Sequence, residues 1–110
     1  MTTILRLKKG EAKVIPFFST TNGNANDLTG AEFAFIVKTG YDVSDSTLIN
    51  KTTSDFDNSE PTTGIVSLPL SSTDLDISAG NYKAELKIEF SGDSIDKSQE
   101  IEFIVEDSLF

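Results

Sequence analysis

The stretch Gly80-Asn81-Tyr82-Lys83-Ala84-Glu85-Leu86-Lys87-Ile88-Glu89-Phe90 decides the fold. From Tyr82 onward, apolar and charged residues alternate without interruption. Successive side chains of an extended chain point to opposite faces, so Tyr82, Ala84, Leu86, Ile88 and Phe90 share one side and Lys83, Glu85, Lys87 and Glu89 the other. One face belongs to a core and the other to water. The segment Lys97 to Glu106 repeats the pattern, with Ile101, Phe103 and Val105 on the inward period and Glu100, Glu102 and Glu106 outward. The two segments flank the loop Ser91 to Asp96, and an antiparallel hairpin is expected. A one-residue slip would bury the acids, and that penalty fixes the register.

Working outward, a first strand is expected over Thr3 to Lys8 and a second over Ala12 to Ser19, joined by Lys9-Gly10-Glu11. Pro16 lies inside the second run. Proline has no N–H for a ladder, so this strand belongs at an edge or carries a bulge. Thr20 to Asn26 has turn composition, and its Asn22-Gly23 pair favours positive φ and a tight reversal. Asp27-Leu28-Thr29-Gly30 leads into a third strand, Ala31 to Thr39. Thr47 to Thr53 reads as a weaker strand whose facing is ambiguous, because Leu48 and Ile49 are adjacent. After the polar connection Ser54 to Thr63, Gly64 to Leu70 forms the next strand. The segment 71–80 is too short for a full helix in water, and one turn capped by Ser72 is expected there, with Leu75 and Ile77 plugging one end of the core. The chain is thus all-β, with about seven strands at intervals that point to a sandwich with Greek-key connections. An up-and-down barrel around a ligand cavity is the structural alternative.

At 110 residues the chain is expected to be a single domain over 1–110, large enough to fold without metal or disulfide support. It contains neither cysteine nor histidine, so disulfides, zinc-thiolate sites, thiol nucleophiles and the commonest general base are excluded. A net charge of −9 opposes binding to phosphate backbones or anionic bilayers, so neither nucleic acid nor membrane is an expected partner. No segment approaches the ~20 apolar residues of a membrane span.

Three constellations invite a chemical reading. Asp42 with Asp45, and Asp55 with Asp57, Asn58 and Glu60, have oxygen ligands suited to Ca²⁺. Their spacing matches neither an EF-hand nor a calcium β-helix repeat, and solvated turn acids that keep a strand-rich surface soluble are the favoured reading. Carboxylate pairs for glycoside hydrolysis arise by chance among 18 acids, whereas the aromatic platforms of a sugar cleft are missing in a chain with no tryptophan and two tyrosines. The chain is therefore expected not to be an enzyme, and no cofactor is implied. Phe33, Phe35, Phe90 and Phe103 fall on the apolar alternation and read as core. Phe17 and Phe18 are adjacent, so one of them faces away from the core unless Pro16 introduces a bulge. That ring, with Tyr41 and the terminal Leu109-Phe110, forms a candidate interface. Any oligomer should bury the less charged side of so acidic a molecule.

Four motifs together carry a resemblance: Lys9-Gly10-Glu11 before a strand, Asp27-Leu28-Thr29-Gly30-Ala31 before the next, Gly64-Ile65-Val66-Ser67-Leu68, and Gly80-Asn81-Tyr82 before the last hairpin. In these the chain resembles, over nearly its whole length, the immunoglobulin-like N-terminal domain of phage baseplate upper proteins and related tailed-phage structural proteins. The resemblance implies an immunoglobulin-like antiparallel β-sandwich and a non-enzymatic structural module that docks or self-associates in a tail, baseplate or other virion assembly. Its partners would be proteins of that assembly, with a homo-oligomer possible, and its place the virion after synthesis in the host cytoplasm. Asp27, Leu28, Thr29, Gly30, Gly80 and Tyr82 would be framework positions. Tyr82 is placed to return its hydroxyl to the backbone just upstream, and Gly80 to supply an angle that a Cβ resists. The alternative function is a carbohydrate-binding or calcium-dependent adhesive sandwich.

Overall fold

A computed structural model describes residues 3–40, 44–92, 94–97 and 101–109. The strands are β1 (Thr3–Lys8), β2 (Lys13–Phe18), β3 (Thr20–Thr21), β4 (Asn24–Ala25), β5 (Glu32–Lys38), β6 (Thr47–Thr52), β7 (Ile65–Leu70), β8 (Gly80–Glu89), β9 (Ile95–Lys97) and β10 (Ile101–Glu106). The main sheet has the order β1-β10-β8-β5-β6, with β9 also on β8, and β2 pairs with β7 in a second sheet. The side chains between these sheets form one apolar cluster that includes Leu7, Ile15, Phe35, Leu68, Leu86 and Phe103. The architecture is the immunoglobulin-like sandwich, not the barrel.

The period-2 reading places the inward rows correctly. Ala84, Leu86 and Ile88 of β8 and Ile101, Phe103 and Val105 of β10 are all buried. The hairpin is antiparallel in the expected register, with Phe103 opposite Tyr82 and Glu102 opposite Lys83. Lys83 and Glu102 form an ion pair at 3.5 Å on the outward side; Glu100 lies outside the described residues. Ile49 settles the ambiguous sixth strand by turning in, which sends Leu48 out.

Several local features differ from the sequence reading. β1 runs parallel to β10, with Leu5 opposite Phe103 and Leu7 opposite Val105. The Lys9-Gly10-Glu11 turn therefore carries the chain from one sheet to the other, and Gly10 N–H donates to the Leu75 carbonyl at 2.9 Å across the end of the sandwich. The Asn22-Gly23 reversal does take positive φ, at 52° and 81°, and is flanked by the short hairpin β3–β4. The loop after β8 contains β9, which pairs back onto Lys87–Glu89. Gly80 does not hold a left-handed angle. It starts an extended strand, and an added Cβ would meet only the Tyr82 ring, at an ordinary 3.9 Å.

The single turn at 71–75 is closed by Leu75 N–H donating to the Ser71 carbonyl at 3.2 Å. Its cap is Ser71 rather than Ser72: Asp74 N–H donates to Ser71 Oγ, and Ser71 N–H to Asp74 Oδ2, at 3.1 and 2.8 Å. Leu75 is fully buried beneath it, and Ile77 is partly buried against the core. Asp74 also pairs with Lys51 of β6 at 3.0 Å, which ties this turn to the edge of the main sheet. Partial burial works to raise the Asp74 carboxyl, but hydrogen bonds from the Ser71 backbone, Lys51 and the Ser71 hydroxyl outweigh it and hold it below the usual range. A carboxyl whose folded pKa is depressed contributes its full stability above the unfolded value of about 3.9 and loses it as pH falls through the folded value. Stability is therefore expected to be level from neutrality to about pH 5 and to fall below about pH 4. Urea melts at pH 7 and pH 3 should show a smaller acid loss in Asp74→Asn than in the parent chain.

Candidate functional site

The second sheet is the part of the molecule whose outward face is not made for water. On β2 the inward row is Ile15 and Phe17, and on β7 it is Val66, Leu68 and Leu70. The outward row follows from the register: Val14 lies opposite Pro69, Pro16 opposite Ser67, and Phe18 opposite Ile65. Five of these six residues are apolar and none is charged. Phe18 is 69% exposed, Val14 58% and Ile65 38%. Residues directly opposite each other in a ladder have close Cβ atoms, so the three pairs form a continuous strip.

The backbone of this sheet is arranged unlike its face. Ser67 exchanges both hydrogen bonds with Asp57, donating to the Asp57 carbonyl at 3.0 Å and accepting from its N–H at 2.8 Å. Its polar backbone groups therefore point away from β2, so the Pro16–Ser67 pair is one of the non-hydrogen-bonded pairs of the β2–β7 ladder. It follows that the Pro16 nitrogen faces the free edge of β2. Pro69, two residues beyond Ser67, has its nitrogen on the outer edge of β7. Each edge of the two-stranded sheet thus presents a proline where an incoming strand needs a donor.

The strip is bordered on the β7 side by acid. Asp57 is the bridge partner of Ser67 and so shares its outward face. With Ser59, Glu60, Thr63, Ile65 and Ser67 it lines a depression of about 90 Å³. Asp57 Oδ1 accepts from Ser59 N–H at 3.1 Å, and neither Asp57 nor Glu60 forms an ion pair among the described residues. At the Phe18 end a second depression, of about 380 Å³, is lined by Ser19, Leu86, Ile88, Asp96 and Lys97.

The main sheet contrasts with this. Its outward face carries charge on β1, β5, β8 and β10, and a shallow depression of about 320 Å³ lined by Ala34 and Ile36 also has Lys38, Lys83, Glu85 and Lys87 around it. Lys87 pairs with Glu89 at 3.2 Å.

The residues singled out from sequence separate between these regions. Phe17 turns inward and packs on Phe35 with ring centroids 5.7 Å apart, while Phe18 is the outward ring, and no bulge interrupts β2. Leu109, fully exposed, follows β10 in the other sheet. Tyr41 and Phe110 lie outside the described residues. Asp27 Oδ1 accepts from Thr29 Oγ1 at 2.6 Å and from Thr29 N–H at 3.0 Å. Those two bonds hold the Asp27 carboxyl below the usual range. Leu28 is completely buried, and Gly30 closes the turn at φ 73°. This turn docks on the connection 53–63: Leu28 N–H donates to the Pro61 carbonyl at 2.8 Å, and Asn58 Nδ2 to the Leu28 carbonyl at 3.0 Å.

Tyr82 Oη donates to the Ser78 carbonyl at 2.5 Å, and its ring lies against the core. Tyr82→Phe keeps the ring and removes that bond. It is expected to lower stability by about 1 kcal/mol, read as a lower midpoint in urea with unchanged slope.

Two of the acids suggested for calcium accept local hydrogen bonds. Asp55 Oδ2 accepts from Thr52 N–H at 2.9 Å, and Asp57 closes its own turn through Ser59. Among the described residues no three acidic groups converge as a metal site would require. Asp42 lies outside them. No helix among the described residues is long and apolar enough to cross a membrane.

Sequence reading missed Val14, Pro16, Ile65 and Pro69, which give the strip most of its area. It also missed Phe56, whose ring packs on Phe33 with centroids 5.3 Å apart and pins the polar connection to the core. Phe56 was detectable as the one large apolar residue in that connection.

The class of fold is supported by similarity to a solved structure, that of the NK cell receptor Nkp44, described as a triggering partner in natural cytotoxicity. The TM-score is 0.53 and the identity 16%, over 96% of this chain and 99% of that one. At that identity the likeness concerns the immunoglobulin-like fold alone. No curated protein matches the chain. The family model of the BppU N-terminal domain matches residues 2–110, so the chain belongs to the family of N-terminal domains of phage baseplate upper proteins. It is a phage baseplate structural domain.

Proposed function

We propose that the chain is a single non-catalytic docking unit of a phage baseplate, which holds its place in the virion by binding other structural proteins. The observation that carries this reading is the family match itself, which takes in residues 2–110. The chemistry agrees with it: the chain has no histidine or cysteine, and most of its large apolar side chains among the described residues pack in the core. Its partners are proteins, and its acidity disfavours nucleic acid and anionic lipid.

The test is to purify the structural proteins encoded beside this chain, mix each with it and weigh the products by light scattering after gel filtration. A complex of discrete stoichiometry with at least one of them is expected. If every mixture elutes as its separate components, the docking reading fails.

A further inference from the structure

We propose that the outward face of the β2–β7 pair is the docking surface, and that it receives a different protein whose contact patch is apolar at the centre and basic at the rim. This rests on the docking reading above. An interface of ordinary kind has a desolvated apolar centre and a polar border, and charged residues are depleted from the centre. Val14, Pro16, Phe18, Ile65 and Pro69 supply such a centre, and Asp57 and Glu60 supply a border on the β7 side. Asp96 and Lys97 at the Phe18 end offset each other.

Two features decide how the partner approaches and what it is. Pro16 and Pro69 withhold donors at both edges of the sheet, so the partner does not add a strand and must lie face-on against the side chains. The strip covers only about five residues of each strand, or roughly 15 Å, so it is the core of a larger footprint and the border must contribute. A second copy of this chain is the wrong occupant on charge. Each copy carries −9, and apposed copies would bring further acid toward Asp57 and Glu60, which form no ion pair among the described residues. A Lys- or Arg-rimmed apolar patch meets both requirements.

The experiment measures binding of the whole chain to each of the neighbouring structural proteins, purified and immobilised singly, at low and moderate salt. Phe18→Asp is expected to weaken the binding seen with the parent chain by tenfold or more, as Val14→Lys should. Asp57→Asn with Glu60→Gln should slow association severalfold and flatten its salt dependence while leaving dissociation nearly unchanged. Ile4→Asp alters a residue that is 49% exposed on the opposite sheet and should change nothing. All the altered residues are exposed, and circular dichroism verifies that each variant is folded. A partner that binds Phe18→Asp and Val14→Lys as well as it binds the parent chain overturns the surface and leaves the docking reading intact. A parent chain that forms a dimer lost in Phe18→Asp overturns the choice of occupant. If no neighbour binds the parent chain, both the surface and the docking reading fall.

Discussion

Phe35→Ala is expected to lower the free energy of unfolding by about 3–5 kcal/mol, enough to bring down the melting temperature by roughly 15 °C or more. Phe35 has no exposed surface and stands between the two sheets. Its ring is the middle of a chain of three, 5.7 Å from Phe17 of β2 and 6.3 Å from Phe103 of β10. Truncation removes the transfer energy of the ring and leaves a void lined by side chains that strands hold in register, so the site cannot collapse around the loss. A domain of this size has about 5–15 kcal/mol in total, and one substitution consumes a large part of it. Differential scanning calorimetry measures the effect. A fall of only a few degrees would mean that the two sheets close up over the missing ring.

Gly64→Ala is expected to cost about 3 kcal/mol, for two reasons that a control separates. Gly64 adopts φ 73°, where a side chain is strained, and an added Cβ would lie 2.6 Å from the Ser19 carbonyl oxygen and 3.1 Å from Ala25 Cβ. The first of these contacts is with backbone, and that backbone is fixed: Ser19 N–H donates to the Gly64 carbonyl at 2.7 Å, and Asn26 N–H to the Ser19 carbonyl at 2.9 Å. The glycine sits where the end of β2, the β3–β4 hairpin and the start of β7 converge. Gly10 has nearly the same angle, φ 76°, with nothing within 4 Å of an added Cβ. Gly10→Ala should therefore show the angle alone, at about 1–2 kcal/mol. Equal losses in the two variants, measured by urea unfolding, would show that the backbone around Ser19 yields to the extra methyl.

Much of the fold was legible because most of the strands have one wet face. In β8, Ala84, Leu86 and Ile88 alternate with Lys83, Glu85 and Lys87, and that contrast names both the element and its buried side. Asn22-Gly23 announced its reversal because few residue pairs accept two positive φ angles in succession. Gly80 misled because a glycine before a strand has the same appearance whether or not its conformational freedom is used. The cap of the 71–75 turn was misplaced by one residue because Ser71 and Ser72 are chemically identical candidates, and only the position of Asp74 three residues beyond Ser71 discriminates between them. The candidate site was legible in one residue, Phe18, whose neighbour Phe17 obliged one ring to face out. Its companions Val14, Pro16, Ile65 and Pro69 look like ordinary strand residues until the two strands are laid side by side.

The amino-acid sequence by itself determined that this chain is an all-β sandwich, which rows of side chains enter its core, and, through its motifs, the phage family to which it belongs. The first two are consequences of local alternation, turn chemistry and composition, each written within a few neighbouring residues, whereas the family is a resemblance carried by motifs spread along the chain. The tertiary structure alone decided that β1 lies parallel to β10, that β9 returns to β8, and that six residues from β2 and β7 form one uncharged strip beside Asp57 and Glu60. Those outcomes depend on pairings between segments far apart in the chain, where many registers satisfy the same local pattern. The choice among them is made by the packing of the whole core around Phe35.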